Sequence, residues 1–260
     1  MIKQPLGRSI DWRIFVISFM VALACACATT EGLCQSEYAP RYVIDGPSAY
    51  RRYVDEVAEY APPSGRGPIV ILISGTNGPD AYRSYAAEVA RLGYYAVLLN
   101  GHSVPLTQDG EGDLRRAIER AQHSPKALPG KAAVIGFSWG GGGALTHAAH
   151  MPDLVSAVVA YYPMTIHVLD MRSFAARFQV PILVLAGEKD VYFNCCLIEA
   201  MRGMEAAAKE GGALFELVVY PNAGHAFNLG HGSLGWFRAE ESADAWQRTT
   251  MMLRQYQPLR

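Results

Sequence analysis

From residue 68 onward the chain alternates between short unbroken apolar runs and longer segments in which apolar residues recur every three or four positions. "PIVILISG" (68–75) is rich in β-branched residues and bounded by "GTNGP", which reads as a buried strand. Tyr82, Tyr85, Val89 and Leu92 follow at helical spacing, and Gly93 closes that helix. "YYAVLLN" (94–100) is a second buried strand, and Leu114, Ala117, Ile118 and Ala121 mark the next helix, with the charges of "DLRRAIER" on its solvated face. "KAAVIGFS" is a third strand, and "WGGGGALTHAAH" begins a helix. "LVSAVVAYYP", "VPILVLAG" and "LFELVVYP" are further strands. Helices are expected near 194–209 and 236–256, the last presenting Ala239, Ala243, Trp246, Thr250 and Leu253 as one stripe. An earlier strand is expected in "YVDEVAEYAP", ended by Pro62-Pro63-Ser64-Gly65. Apolar strands alternating with helices predict an α/β fold with a mainly parallel central sheet and helices on both faces. In such sheets ligands bind beyond the carboxyl ends of the strands.

A chain of 260 residues, half of them hydrophobic, suits one large α/β domain with a sizeable core. A net charge of −1 leaves no electrostatic footprint for nucleic acid. The first 28 residues differ from the rest: Lys3, Arg8 and Arg13 precede "IFVISFMVALACACA", a basic region followed by an apolar one. Residues 1–28 are therefore expected to be a signal peptide or N-terminal anchor, 29–40 a linker and 41–260 the folded domain. Ala24-Cys25-Ala26 and Ala26-Cys27-Ala28 both offer small-x-small cleavage sites, and Cys25 or Cys27 is an alternative site of lipidation. This predicts export to the periplasm or outside, or membrane anchoring through the leader alone. Cleavage would leave Cys34, Cys195 and Cys196, an odd number that makes no disulfide framework. Adjacent cysteines are poorly placed to pair, so buried free thiols are expected, with a bridge from Cys34 to one of them as the alternative.

Residues 136–140, Gly-Phe-Ser-Trp-Gly, match G-x-S-x-G between a predicted strand and a predicted helix. Side chains two residues before or after such a serine would collide with the neighbouring helix or strand, and Gly136 and Gly140 remove them. The glycines thus present Ser138 above the sheet edge. A serine hydroxyl is a weak nucleophile until a base takes its proton and an acid orients that base. "EKD" after "VPILVLAG" offers Glu188 and Asp190, and "NAGHAF" after "LFELVVYP" offers His225. The order Ser138, Asp190, His225 fits, with Glu188 better suited to capping or ion pairing. The oxyanion donors expected are the backbone N–H groups of Trp139 and of Thr76 in "SGTNGP". Phe137, Trp139, His102 and Phe227 are expected to line the pocket. His147 and His150 read as surface or packing residues, and His231 lies beyond the expected turn. No two of these histidines pair with Cys, Asp or Glu at ligand spacing on a plausible scaffold, so no metal site is expected.

These segments resemble the dienelactone hydrolase family of α/β-hydrolases. "GFSWGG", "VPILVLAGEKD", "VVYPNAGHAFN" and "FRAEESADAWQRTT" are similar to its nucleophile, acid, histidine and following-helix segments, within a match from roughly residue 53 to residue 256. The resemblance implies a hydrolase that opens carboxylic esters through an acyl-enzyme without a cofactor, with Ser138, Asp190 and His225 as its triad. This chain departs from the family in having Ser138 where the family usually has Cys. "HAFNLGHGS" offers no basic residue other than His231 where the family uses arginine on a substrate carboxylate, and the glutamate often found after the first buried strand is missing from "ISGTNG". The expectation is a serine carboxylesterase acting on a small-molecule ester. A thioesterase or peptidase on the same scaffold and a non-catalytic ligand-binding protein are the alternatives. The sequence leaves the oligomeric state open.

Overall fold

The computed structural model describes residues 57–107, 109–230 and 236–259, all within one compact unit. The leader, Cys25, Cys27, Cys34 and His231 lie outside the described residues. Among the described residues no helix is long and apolar enough to cross a membrane.

Seven strands form one sheet among these residues: β1 Val57–Tyr60, β2 Gly67–Ile73, β3 Tyr95–Leu99, β4 Ala127–Phe137, β5 Val155–Tyr161, β6 Ile182–Gly187 and β7 Phe215–Tyr220. The helices are α1 Arg83–Arg91, α2 Asp109–Gln122, α3 Trp139–Thr146, α4 Met171–Ala175, α5 Ile198–Glu210 and α6 Ala239–Tyr256. The sheet order is β1-β3-β2-β4-β5-β6-β7. Strands β2 to β7 are parallel, and β1 alone runs antiparallel, pairing Val57 with Leu99 and Tyr60 with Ala96.

The period-2 geometry of a strand divides each apolar run between two faces. On β2, Ile69, Ile71 and Ile73 join a core layer with Leu114 and Ile118 of α2, Leu145 of α3, Phe174 of α4 and Met201 and Met204 of α5. Val70 and Leu72 face the other layer, with Tyr85 and Val89 of α1 and Ala245 and Leu253 of α6. Burial on both faces is why the central strands carry no polar alternation.

The predicted stripe on the last helix holds at Leu253, which is buried, and at Trp246, which packs against the core, and is displaced elsewhere. Ala239 and Ala243 are exposed, while Ala245, Thr249 and Leu253 face the core. The register follows from Thr249, whose hydroxyl is buried with two partners, Tyr161 Oη at 2.7 Å and the Ala245 carbonyl at 2.9 Å. A threonine so satisfied serves as a core residue that hydropathy counts as polar. Beyond α6, buried Gln257 ties β2, β4 and β5 together. Its Nε2 donates to the carbonyls of Ile69 (3.1 Å) and Lys131 (2.7 Å), and its Oε1 accepts from Ser156 (2.7 Å).

Candidate active site

Ser138 sits between β4 and α3 with φ 53° and ψ −113°, a backbone conformation rarely populated by residues with a side chain. Such strain costs about 1–3 kcal/mol and persists only where the surroundings over-determine it. Three backbone bonds do so here. Ser138 N–H donates to the Tyr161 carbonyl (3.0 Å), and its own carbonyl accepts from Gly142 and Met164 (both 2.9 Å). The flanking glycines are required for space. A Cβ on Gly136 would overlap the Gly140 carbonyl oxygen, and one on Gly140 would overlap the Ile73 carbonyl oxygen at the end of β2.

Asp190 follows β6 and His225 follows β7, so both arrive at the same carboxyl edge as Ser138. His225 Nδ1 lies 2.8 Å from Asp190 Oδ2, and His225 Nε2 lies 3.0 Å from Ser138 Oγ. All three residues are buried, Ser138 at 5%, Asp190 at 2% and His225 at 7% exposure. A carboxylate only accepts, so Nδ1 carries the proton and Nε2 is left as the acceptor facing the serine hydroxyl. Asp190 is itself held, its Oδ1 accepting from Tyr192 N–H at 3.1 Å. Glu188 turns outward to an ion pair with Arg202 (2.6 Å). This arrangement can take the serine proton along a preformed hydrogen bond and hold the resulting imidazolium against a carboxylate.

Trp139, the first residue of α3, has no acceptor for its N–H within the helix. The "SGTNGP" loop comes up against the elbow, where a Cβ on Gly75 would lie 3.4 Å from Ser138 Cβ and 2.6 Å from Tyr82 Oη. Burial pushes the Tyr82 hydroxyl up to about 12. His102 belongs to the same rim. Its ring is 5.6 Å from Trp139, and its Nε2 lies 3.3 Å from the Thr76 carbonyl oxygen.

Phe137 and Phe227 do not line an opening. Both have 0% exposure. Phe137 packs among Tyr82, Tyr85 and Tyr161, and Phe227 among Tyr161, Tyr162 and Tyr220. Both belong to an aromatic cluster beneath Ser138 and His225, and for Phe137 strand alternation turns the residue before Ser138 into the core. His147 is likewise buried, with Nε2 2.8 Å from the Pro105 carbonyl oxygen.

Two neighbours of His225 escape a motif search. Tyr192 stacks on the imidazole at 4.4 Å and 13°, and Tyr162 meets it edge-on at 4.8 Å. Their signals were positional: Tyr192 is two residues past Asp190, and Tyr162 directly follows β5. The cysteine expectation is also corrected. The sulfurs of Cys195 and Cys196 are bonded to each other, and both residues are buried. The fold also brings together ligand types that chain spacing keeps apart. One ligand atom each from Cys195, Cys196 and His225 lie within 4.8 Å of one another.

A profile of the dienelactone hydrolase family matches residues 79–257. The "Putative carboxymethylenebutenolidase" of Yersinia pestis is 37% identical over 126 residues, covering 45% of this chain and 44% of that protein. The curated relatives are thus matched over about half their length. Among solved structures, the "Putative Dienelactone Hydrolase" of Klebsiella pneumoniae superposes with a TM-score of 0.65 at 24% identity, covering 77% of this chain and 98% of that one. A thermophilic esterase from Thermogutta terrifontis has a TM-score of 0.59 at 20% identity, over 78% and 90% of the two chains. The fold is that of the α/β-hydrolases, and with the family profile spanning more than half of its length the chain belongs to the dienelactone hydrolase family.

Proposed function

We propose that this protein is a serine hydrolase of small carboxylic esters that works through an acyl-enzyme. The observation that carries the reading is the continuous relay Ser138 Oγ–His225 Nε2 (3.0 Å) and His225 Nδ1–Asp190 Oδ2 (2.8 Å) on a strained, glycine-cleared turn. Ser138 Oγ attacks the ester carbonyl as His225 Nε2 takes its proton. The oxyanion that forms is held by the N–H groups of Trp139 and Thr76, each donor contributing about 3–4 kcal/mol. His225 then returns the proton to the leaving alcohol. Water, deprotonated by the same imidazole, attacks the acyl-serine and releases the acid. Asp190 keeps the imidazole in the useful tautomer throughout, and Tyr192 against its face limits ring rotation.

The family match and the esterase among the structural neighbours support ester chemistry. Labelling with a fluorophosphonate tests the reading. The wild-type chain should gain one adduct on Ser138, and Ser138→Ala should gain none while remaining folded. An unlabelled wild type, or p-nitrophenyl acetate turnover that survives Ser138→Ala, refutes it. The basic and apolar leader further suggests export. Protein recovered from the host should then begin near Ala26 to Thr30, and a cytosolic product that retains Met1 would count against export.

A further inference from the structure

The mechanism proposed above uses His225 but not the two cysteines beside it. Cys195 and Cys196 sit on the segment that follows Asp190, with exposures of 2% and 1%. The Cys195 carbonyl accepts from Thr165 N–H at 2.8 Å, which pins this segment to the loop after β5. The bonded sulfurs offer no thiolate. Reduction changes that: two small thiols supply two electrons and two protons and become a disulfide, or a phosphine with one water becomes a phosphine oxide, the water giving its oxygen to phosphorus and its protons to sulfur, and the Cys195–Cys196 bond becomes two thiols.

We propose that the reduced Cys195–Cys196 pair and His225 form a binding site for a thiophilic divalent cation of the zinc or cadmium class, and that its occupancy switches the hydrolase off. Three features of the site favour this. Ligand atoms of the three residues already lie within 4.8 Å of one another. Tetrahedral zinc bonded to sulfur at about 2.3 Å needs its sulfurs about 3.8 Å apart, a separation that adjacent side chains reach by rotation once the bond between them is cut. The imidazole is also in the right form. With Nδ1–H given to Asp190, Nε2 keeps its lone pair, and a carboxylate behind the far nitrogen is the partner that metal-binding histidines use.

Charge balance selects the ion. The cation displaces both thiol protons, so two thiolates and a divalent ion add no net charge to a buried site, which would otherwise penalise uncompensated charge. Calcium and magnesium require oxygen ligands and should not bind. A cation on Nε2 replaces the Ser138 hydroxyl as its partner and leaves the serine without a base. The inhibition rests on the hydrolase reading, whereas the binding does not.

The test uses the full chain in two forms, one as oxidised protein and one reduced by phosphine and desalted anaerobically. Cd2+ is titrated and followed by thiolate-to-metal charge-transfer absorption, and Zn2+ is titrated against p-nitrophenyl acetate turnover. Reduced protein should gain the absorption with one Cd2+ per chain. It should lose at least tenfold in turnover with Zn2+ and recover on adding EDTA, while oxidised protein responds to neither ion. His225→Ala should bind Cd2+ at least tenfold more weakly. The double substitution Cys195→Ser, Cys196→Ser, which keeps every other cysteine, should lose the absorption, and its turnover should not change on adding Zn2+. Equal Cd2+ binding by both redox forms, or the absorption surviving the double substitution, overturns the proposal. Cd2+ binding in a chain that turns over no ester retains the metal site and rejects the hydrolase reading. Should the double variant not fold, the comparison of redox forms still decides.

Discussion

Replacing Gly140 by alanine tests whether the glycines of the elbow are there for space. The added methyl carbon would overlap the Ile73 carbonyl oxygen and lie 2.5 Å from the Ser74 carbonyl oxygen and 2.6 Å from the Ile73 carbonyl carbon. Relaxed contacts begin near about 3.5 Å, so elbow and strand must part by about 1 Å. Neither side yields easily. Ile73 is paired on both flanks, with Leu99 and Gly136, and Ser74 N–H donates to the Leu99 carbonyl at 3.1 Å. Overpacking of this kind costs about 1–3 kcal/mol, and contact with backbone puts Gly140→Ala near the top, about 3 kcal/mol. Its melting temperature should fall by about 6–12 °C, at about 2–4 °C per kcal/mol for a chain of this size. The displacement also separates Ser138 from the Gly75–Thr76 loop, and a shift of about 1 Å lowers turnover about 100-fold. Gly203→Ala is the control. It lies exposed inside α5, where a Cβ meets only Met171 Cγ at 4.0 Å, so the helix should gain about 0.5–1 kcal/mol. Urea titrations and p-nitrophenyl acetate kinetics on the two variants separate these outcomes. A Gly140→Ala protein as stable and as active as wild type would refute the packing argument.

Asp190→Asn should fold normally and lower kcat by about 10⁴-fold, because the amide can donate to Nδ1 and favour the wrong tautomer; stopped-flow acylation of the folded variant checks this. Burial lowers the pKa of His147 from 6.5, so unfolded chain binds the extra proton first and stability falls as pH drops through and below 6.5. Urea midpoints at pH 7.5 and 5 should differ less in His147→Gln than in wild type, and an unchanged difference would exclude His147 as a source. With no arginine in "HAFNLGHGS", neutral short-chain esters should be hydrolysed with higher kcat/KM than lactones bearing a free carboxylate, and the reverse ranking would reject that inference.

The central parallel strands were legible because they are apolar runs buried on both faces, as β2, β3 and β6 are with every residue buried. The elbow was legible because a residue that clashes at Gly136 or Gly140 has few substitutes, so steric need appears directly as glycine. What escaped depends on partners distant in sequence. The phase of α6 is set by a threonine whose hydroxyl is satisfied by Tyr161, 88 residues away. Phe137 and Phe227 looked like pocket residues because they flank functional groups, yet neighbours packed from other elements make them core. Cys195 and Cys196 sat outside any motif, because their relation to His225 exists only once the loops after β6 and β7 have met. Five-residue α4 falls below the length at which helical periodicity can be recognised.

The Gln257 clasp has a consequence for how the chain is made. It joins carbonyls that precede it by 188 and 126 residues. At about 5–20 residues per second of synthesis, Lys131 leaves the peptidyl-transferase centre roughly 6–25 s before Gln257 does. Through that interval β2 and β4, and β5 once it is made, lack the side chain that ties them together, and Leu183 and Leu185, made later, wait for α6 to cover them. The nascent sheet therefore passes through a long stage in which α1 alone covers that apolar face and the part under α6 is open. That is when a chaperone has most to shield, and pausing on the ribosome before α6 emerges would extend the period of aggregation risk.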